Sequence, residues 1–176
     1  VFANRDPRLR QTILHPDDTE KYNYDRGDGR DYPRVVGMSG GFTTTTGYHI
    51  IKHYNADDMI GKAYNTAESP AIILRYAEVL LNYAEAKAEL GEITQGDLDL
   101  SINQLRDRVN MPHLMMDPPM DPRYANDGVS PLIVEIRRER RVELFLEGFR
   151  YNDLKRWKQG KKLEIPDMGV QWSPEN

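Results

Sequence analysis

Glu135, Glu139, Glu143 and Glu147 recur at intervals of four, just ahead of and within the stretch "RRERRVELFLEGFRYNDLKRW" that ends at Trp157. On an α-helix that interval stacks the four carboxylates in one row, and like charges so placed oppose the helix by roughly 0.3 kcal/mol per pair. The row is tolerable only with cations beside it. Arg138, Arg140, Arg141 and Arg150 each lie within three positions of a member, and Glu143 and Arg140, three apart, are expected to pair. Val142, Phe145, Leu146 and Phe149 form a neighbouring apolar stripe, so part of the row must sit at the edge of a packed interface. Buried, hydrogen-bonded Arg–Glu pairs follow, a role that suits the planar guanidinium.

The rest of the second half is helical as well, and its punctuation is explicit. Ser69 and Pro70 offer a cap and a first-turn proline for a helix over 70–90, with Gly91 where a left-handed C-terminal cap is wanted. A short turn leads to a second helix over 95–109, in which Leu98, Ile102 and Leu105 recur at spacings of three and four before Asn110 and Pro112 stop it. Asparagine tolerates the left-handed conformation, so Asn110 suits that stop. The two helices form a hairpin. "MPHLMMDPPMDPRYANDG" is a long proline-rich connection, after which Ser130 and Pro131 start a third helix over 131–147. Gly148 interrupts it, and a fourth helix over 151–159 ends at Gly160, leaving 161–176 as a tail.

Residues 1–68 differ in character. They are rich in Gly, Asp, Asn and Tyr and carry no sustained helical period, which predicts ordered loop. One strand is expected near 43–54, where "TTTTGYHIIKHY" gathers β-branched and aromatic residues. The fold class is therefore mainly α: helical hairpins, a long loop-rich segment, and one or two short strands.

Several chemistries are disfavoured. The chain has 24 basic and 28 acidic side chains and a net charge of -4, and glutamates interleave its arginines, so no field is available to hold a nucleic acid. The apolar run Ala71 to Leu90 is broken by Arg75, Glu78, Asn82, Glu85, Lys87 and Glu89 and cannot span a membrane. There is no cysteine for a disulfide or thiolate metal site. A di-metal carboxylate site would need a histidine three residues after a glutamate on facing helices, and the helices with the glutamates have none. His49 and His53 on a strand would stand roughly 13 Å apart, too far to share a metal. "DRGDGRD" lacks the glutamate a calcium loop wants at its twelfth position, which is Val36. A glycosidase pair requires two singled-out carboxylates, and nothing singles out two. No cofactor, metal or catalytic residue is assigned.

"ILRYAEVLLNYAEAKAELGE", "INQLRDRVNMP" and above all "ERRVELFLEGFRYNDLKRW", with "NRDPRLRQTIL" near the start, resemble the C-terminal part of the SusD/RagB family, the surface glycan-binding lipoproteins of Bacteroidota. Val109 and Asn110 stand where the family usually has Ala-Gly, and its asparagine-proline-rich ending is not evident in "GVQWSPEN". The resemblance implies tetratricopeptide-like helix pairs and a chain that is the C-terminal part of a larger single domain, as the opening on Val1 and polar coil also suggests. It implies a non-catalytic, surface-exposed component of the cell outer membrane that binds an oligosaccharide or polysaccharide and acts with a TonB-dependent SusC-like transporter. Its membrane attachment would be an N-terminal lipid anchor outside this sequence. The interleaved arginines and glutamates become scaffold, and Trp157 becomes core.

Sugar recognition needs flat aromatic faces with hydrogen-bonding groups at their rim. The expected glycan contacts are Tyr22, Tyr24, Tyr32, Phe42, Tyr48, Tyr54 and Tyr64, beside Asn23, Asp25, Arg30 and Asn55. The alternative function is a helical interaction scaffold that docks a transporter or partner without binding glycan, for which a stacked helical array is suited.

Overall fold

The computed structural model describes residues 2–18, 46, 48–54 and 72–164. The chain divides into two compact units, one of Val1–Arg5, Leu9–Ala71 and Gln159–Asn176, the other of Asp6–Arg8 and Ile72–Lys158. The described residues are mainly helical, in six α-helices: α1 (Arg8–Thr12), α2 (Tyr76–Glu89), α3 (Gln95–Asp99), α4 (Ile102–Asp107), α5 (Pro131–Glu143) and α6 (Arg150–Arg156).

In the second unit, α2 runs antiparallel to α5. Arg75, just before α2, bonds Glu143 and Glu147 near the end of α5, while Glu89 at the end of α2 bonds Arg137. Ala77, Leu80, Leu81 and Ala84 of α2 pack with Leu98, Ile102, Leu105, Leu114, Leu132, Ile136 and Leu144 in one buried cluster. Each fully buried leucine there contributes about 2 kcal/mol. Tyr76, Val79 and Tyr83 follow another face of α2 at spacings of three and four and are exposed.

The helix ends show what each expectation captured. Gly91 at φ 70° closes α2, and the Glu92 N–H donates back to the Lys87 carbonyl at 3.0 Å, a left-handed cap as its sequence predicts. Asn110 at φ 54° does the same after α4, with the Met111 N–H donating to the Arg106 carbonyl at 2.9 Å. Thr94 and Asp97 form a reciprocal capping box at the start of α3. Ser130 accepts from the Ile133 N–H at 3.3 Å, with Pro131 in the first turn of α5.

Four boundaries differ from those expected. The first helix begins at Tyr76 rather than residue 70, with Arg75 extended and offering no side-chain cap; Ser69 and Pro70 lie outside the described residues. The helix expected over 95–109 breaks at Ser101, whose buried hydroxyl donates to the Asp97 carbonyl at 2.6 Å, a back-bond that bends helices. The third helix ends at Glu143 rather than 147. There the Arg75 guanidinium donates to the Glu143 carbonyl at 2.6 Å, the acceptor that the Glu147 N–H would need, and Glu147 bonds Leu144 instead. Leu146 then takes φ 64° and Gly148 φ 83°, which turns the chain into α6, spanning Arg150–Arg156 rather than 151–159.

In the first unit a single antiparallel bridge, Ile13 to Ile50, stands among the described residues where a strand over 43–54 was expected. Leu14 donates to the His49 carbonyl and Ile51 to the Thr12 carbonyl, both at 2.8 Å, and pairing stops at a turn in which His53 takes φ 67°. Residues 43–45 and 47 lie outside the described residues.

Candidate functional site

Around the Ile13–Ile50 bridge the pleat alternates, with Ile51 buried, His49 half-buried, and Tyr48 and Ile50 exposed. Leu14 and Ile51 form the buried side. Phe2 meets Tyr48 edge-on at 6.5 Å between ring centroids and His15 edge-on at 4.6 Å, so three rings from separate segments share one patch. Tyr48 and Tyr54 are 37 % and 38 % exposed. Burial lowers the pKa of His49, which favours its neutral form. A bidentate Arg10–Asp18 pair, at 2.6 and 2.9 Å, fixes the segment that carries His15.

Of the expected glycan contacts, Tyr48 and Tyr54 are partly exposed. Tyr22, Asn23, Tyr24, Asp25, Arg30, Tyr32, Phe42, Asn55 and Tyr64 lie outside the described residues. Sequence reasoning missed Phe2 and His15. Phe2 joins the two other rings, and its contact with Tyr48 spans dozens of positions and leaves no periodic trace in the chain. No group of His, Asp or Glu among the described residues could hold a metal ion.

The glutamate row builds something different. Arg8 reaches Glu139 at 2.5 Å and Glu143 at 3.0 Å, with Asp6 on its other edge. Arg106 bonds Glu139 at 3.0 Å and Glu135 at 3.4 Å, Arg75 bonds Glu143 at 2.6 Å and Glu147 at 2.8 Å, and Arg108 adds to Glu143 at 2.9 Å. Within α5 only Arg138 pairs with the row, to Glu135 at 2.6 Å. The expected Glu143–Arg140 pair is absent: Arg140 points to Asp153 at 2.8 Å and to Asn82 at 2.7 Å. Burial raises the Glu143 carboxyl, but hydrogen bonds from Arg75 and Arg8 and the charge of Arg108 outweigh it and leave its pKa below the ordinary value. A carboxylate held ionised by three arginines is poorly suited to proton transfer near neutral pH, and the other members of the row are likewise engaged in ion pairs.

A second arginine cluster surrounds Trp157, whose indole N–H donates to Glu85 at 2.5 Å. The guanidinium carbons of Arg137, Arg156 and Arg150 lie 4.7, 4.8 and 5.9 Å from its ring centroid. Arg156 bonds both Glu85 oxygens at 2.5 Å and Asp153 at 3.0 Å, which ties α6 to α2 as well as to itself. Trp157 is half-buried, packed among cations at the margin of the core.

The SusD family model matches residues 1–172. The chain belongs to the SusD family. Two SusD-like proteins of Formosa agariphila are similar to it: one is 30 % identical over 165 residues, covering 82 % of this chain and 32 % of that protein, and the other is 27 % identical, covering 97 % and 32 %. A SusD-like carbohydrate binding protein of Bacteroides fragilis superposes with a TM-score of 0.63 at 31 % identity, covering 92 % of this chain and 30 % of that one. A second SusD-like protein of the same organism gives 0.59 at 30 % identity over 92 % and 29 %. The chain thus spans about a third of the length of these relatives. The helical, tetratricopeptide-like fold class of SusD-like proteins is the one this chain adopts.

Proposed function

We propose that this chain is part of a non-catalytic glycan-binding protein exposed at the cell outer membrane. It captures an oligosaccharide or polysaccharide and passes it to a TonB-dependent SusC-like transporter, held at the surface by an N-terminal lipid anchor. The observation that carries this reading is the similarity, at 31 % identity over 92 % of the chain, to a protein described as a SusD-like carbohydrate binding protein. The Phe2–His15–Tyr48 patch and the exposed Tyr54 support it chemically, because aromatic faces with polar rims are what sugar rings stack upon. The committed carboxylates of α5 support the absence of catalysis. No helix among the described residues is long and apolar enough to cross a membrane, and a lipid anchor would not need one.

A second reading is a scaffold that docks a transporter or partner without binding glycan. The exposed stripe of Tyr76, Val79 and Tyr83 favours it, since apolar helix surface of this kind marks interaction sites. A glycan array followed by calorimetry on the full-length protein separates the two. Glycan binding that weakens in Tyr48→Ala and Tyr54→Ala supports the first; absence of glycan binding together with co-purification of the transporter supports the second and overturns the first.

A further inference from the structure

Arg137, Arg150 and Arg156 surround Trp157, Arg140 joins them through Asp153, and Arg141 adds its charge beside Arg150, so five arginines meet three carboxylates, Glu85, Glu89 and Asp153. Arg137 is paired with Glu89, Arg140 with Asp153, and Arg156 with both Glu85 and Asp153. Arg141 and Arg150 have no carboxylate partner among the described residues. The Arg140–Asp153 bond at 2.8 Å draws the last turn of α5 against the first turn of α6, and Arg141 and Arg150 flank that junction. The Gly148 turn at φ 83° lets the chain reverse there.

Arg150 is half-buried with its guanidinium near the Trp157 ring, while Arg141 is exposed. Burial lowers the pKa of Arg150, and the nearby charge of Arg141 lowers it further, against smaller opposing effects from Tyr124 and Asp153. A cation partly withdrawn from water and placed near another cation is unfavourable until an anion joins it. Guanidinium forks donate in a geometry that fits the oxygens of a carboxylate or a sulfate. Tyr151, the next residue along, is 60 % exposed, and Lys155 places a further cation 5.2 Å from its ring centroid, which adds to the positive charge of this edge.

We propose that Arg141 and Arg150 form a binding site for an oxyanion substituent, a carboxylate or a sulfate ester, carried by the glycan. This assignment of an acidic glycan rests on the glycan-binding reading above; the anion site itself does not. The test uses the full-length protein and, first, inorganic sulfate, titrated against chloride at equal ionic strength with thermal shift and calorimetry as readouts. Saturable binding that falls about tenfold or more in Arg150→Gln and in Arg141→Gln supports the site, as loss of charge-assisted hydrogen bonds predicts. Arg123→Gln, which removes an exposed arginine paired with Asp121, is expected to leave it unchanged. Arg150→Lys keeps the charge without the fork and should give intermediate affinity, which guards against misreading an unfolded variant. Sulfate affinity equal in wild type and both Gln variants overturns the site.

The second measurement compares a neutral oligosaccharide with uronic-acid and sulfate-ester oligosaccharides. Tighter binding of either acidic ligand, lost in Arg150→Gln, supports the proposal and tells the two substituents apart. Equal binding of neutral and acidic ligands, with sulfate still dependent on Arg150, overturns the glycan source and points to a protein carboxylate. Sulfate binding with no glycan binding at all overturns the proposed function and the glycan assignment together, and leaves the anion site standing.

Discussion

Glu139 and Trp157 are each surrounded by arginines, but the carboxylates around them differ in number. Near Glu139, among the described residues, Arg8, Arg75, Arg106, Arg108 and Arg138 are matched by Asp6, Glu135, Glu139, Glu143 and Glu147, five against five. Near Trp157 the same number of arginines meets three carboxylates, and aromatic faces take part of the load. The first network is drawn from segments as far apart as Arg8 and Glu143 and is mostly sealed from water. In the second, Glu85, Arg140 and Asp153 are buried while Glu89, Arg141 and Arg156 are exposed, so its surplus of positive charge lies on the side that meets water. Matching charge in a sealed site gives a fixed structural joint. A surplus at a wet edge leaves donors for something else.

The largest effect that should separate the two comes from Glu139→Ala. Glu139 is 2 % exposed, and its two oxygens serve Arg8 and Arg106, which are themselves almost fully buried. Its loss leaves two buried guanidinium groups with one carboxylate fewer, and the expected destabilisation is about 3 to 5 kcal/mol. Urea denaturation midpoints measure it. A change below about 1 kcal/mol, typical of a surface pair, would show that the sealed network is solvated and erase the contrast.

Acid should open the same joint. The folded-state pKa of Glu143 lies below its ordinary value of 4.5, so the stability it contributes is present above the unfolded-state pKa and is lost as pH falls through the folded value. Melting temperatures should therefore hold as pH approaches 4.5 from neutrality and decline below it, and this decline should be shallower in Glu143→Gln. Equal slopes in the two proteins would exclude Glu143 as a source of the acid sensitivity. A smaller effect is expected across the junction of α5 and α6. Arg140→Ala removes bonds to Asp153 and Asn82 but leaves Asp153 its partner Arg156, so the cost should be about 2 kcal/mol. Combined with Asp153→Ala, the loss should be less than the sum of the single changes.

What the sequence revealed of this comparison follows from the range of each interaction. Gly91, Asn110, Ser130 and Pro131 act within one turn of their own helix, and each ended or began a helix where its chemistry predicts. The need of the glutamate row for cations was legible for the same reason. Which cations was not: Arg8 and Arg75 lie 135 and 68 positions from Glu143, and no local spacing announces them. That same distant contact moved a boundary, since Arg75 occupies the Glu143 carbonyl and α5 stops there. In the loop-rich unit the β-branched run around Ile50 has a neighbour to bridge with, but the left-handed turn at His53 limits the pairing. Tyr48 was expected as a glycan contact because it is an aromatic residue in a loop-rich segment; its meeting with Phe2 depends on tertiary packing alone.

The smallest effect tests the surplus side of the comparison. Arg141 is exposed, stands in the last turn of α5, and has no carboxylate partner among the described residues. Two electrostatic influences act on it in opposite directions. A cation in the last turn of a helix is favoured by the helix dipole by about 0.3 to 1 kcal/mol, whereas proximity to Arg150 is repulsive and contributes to the lowered pKa of that residue, after burial. With neither influence dominant, Arg141→Gln should alter stability by no more than about 0.5 kcal/mol, as for an unpaired surface residue. Because Arg141 itself is exposed, even this change should shrink as salt shortens the screening length to about 8 Å or less. Chemical denaturation at low and at physiological ionic strength supplies the measurement. A loss above about 1 kcal/mol that persists in salt would mean that Arg141 has a structural partner, that the Trp157 cluster is balanced like the one at Glu139, and that no positive charge is left over for a ligand.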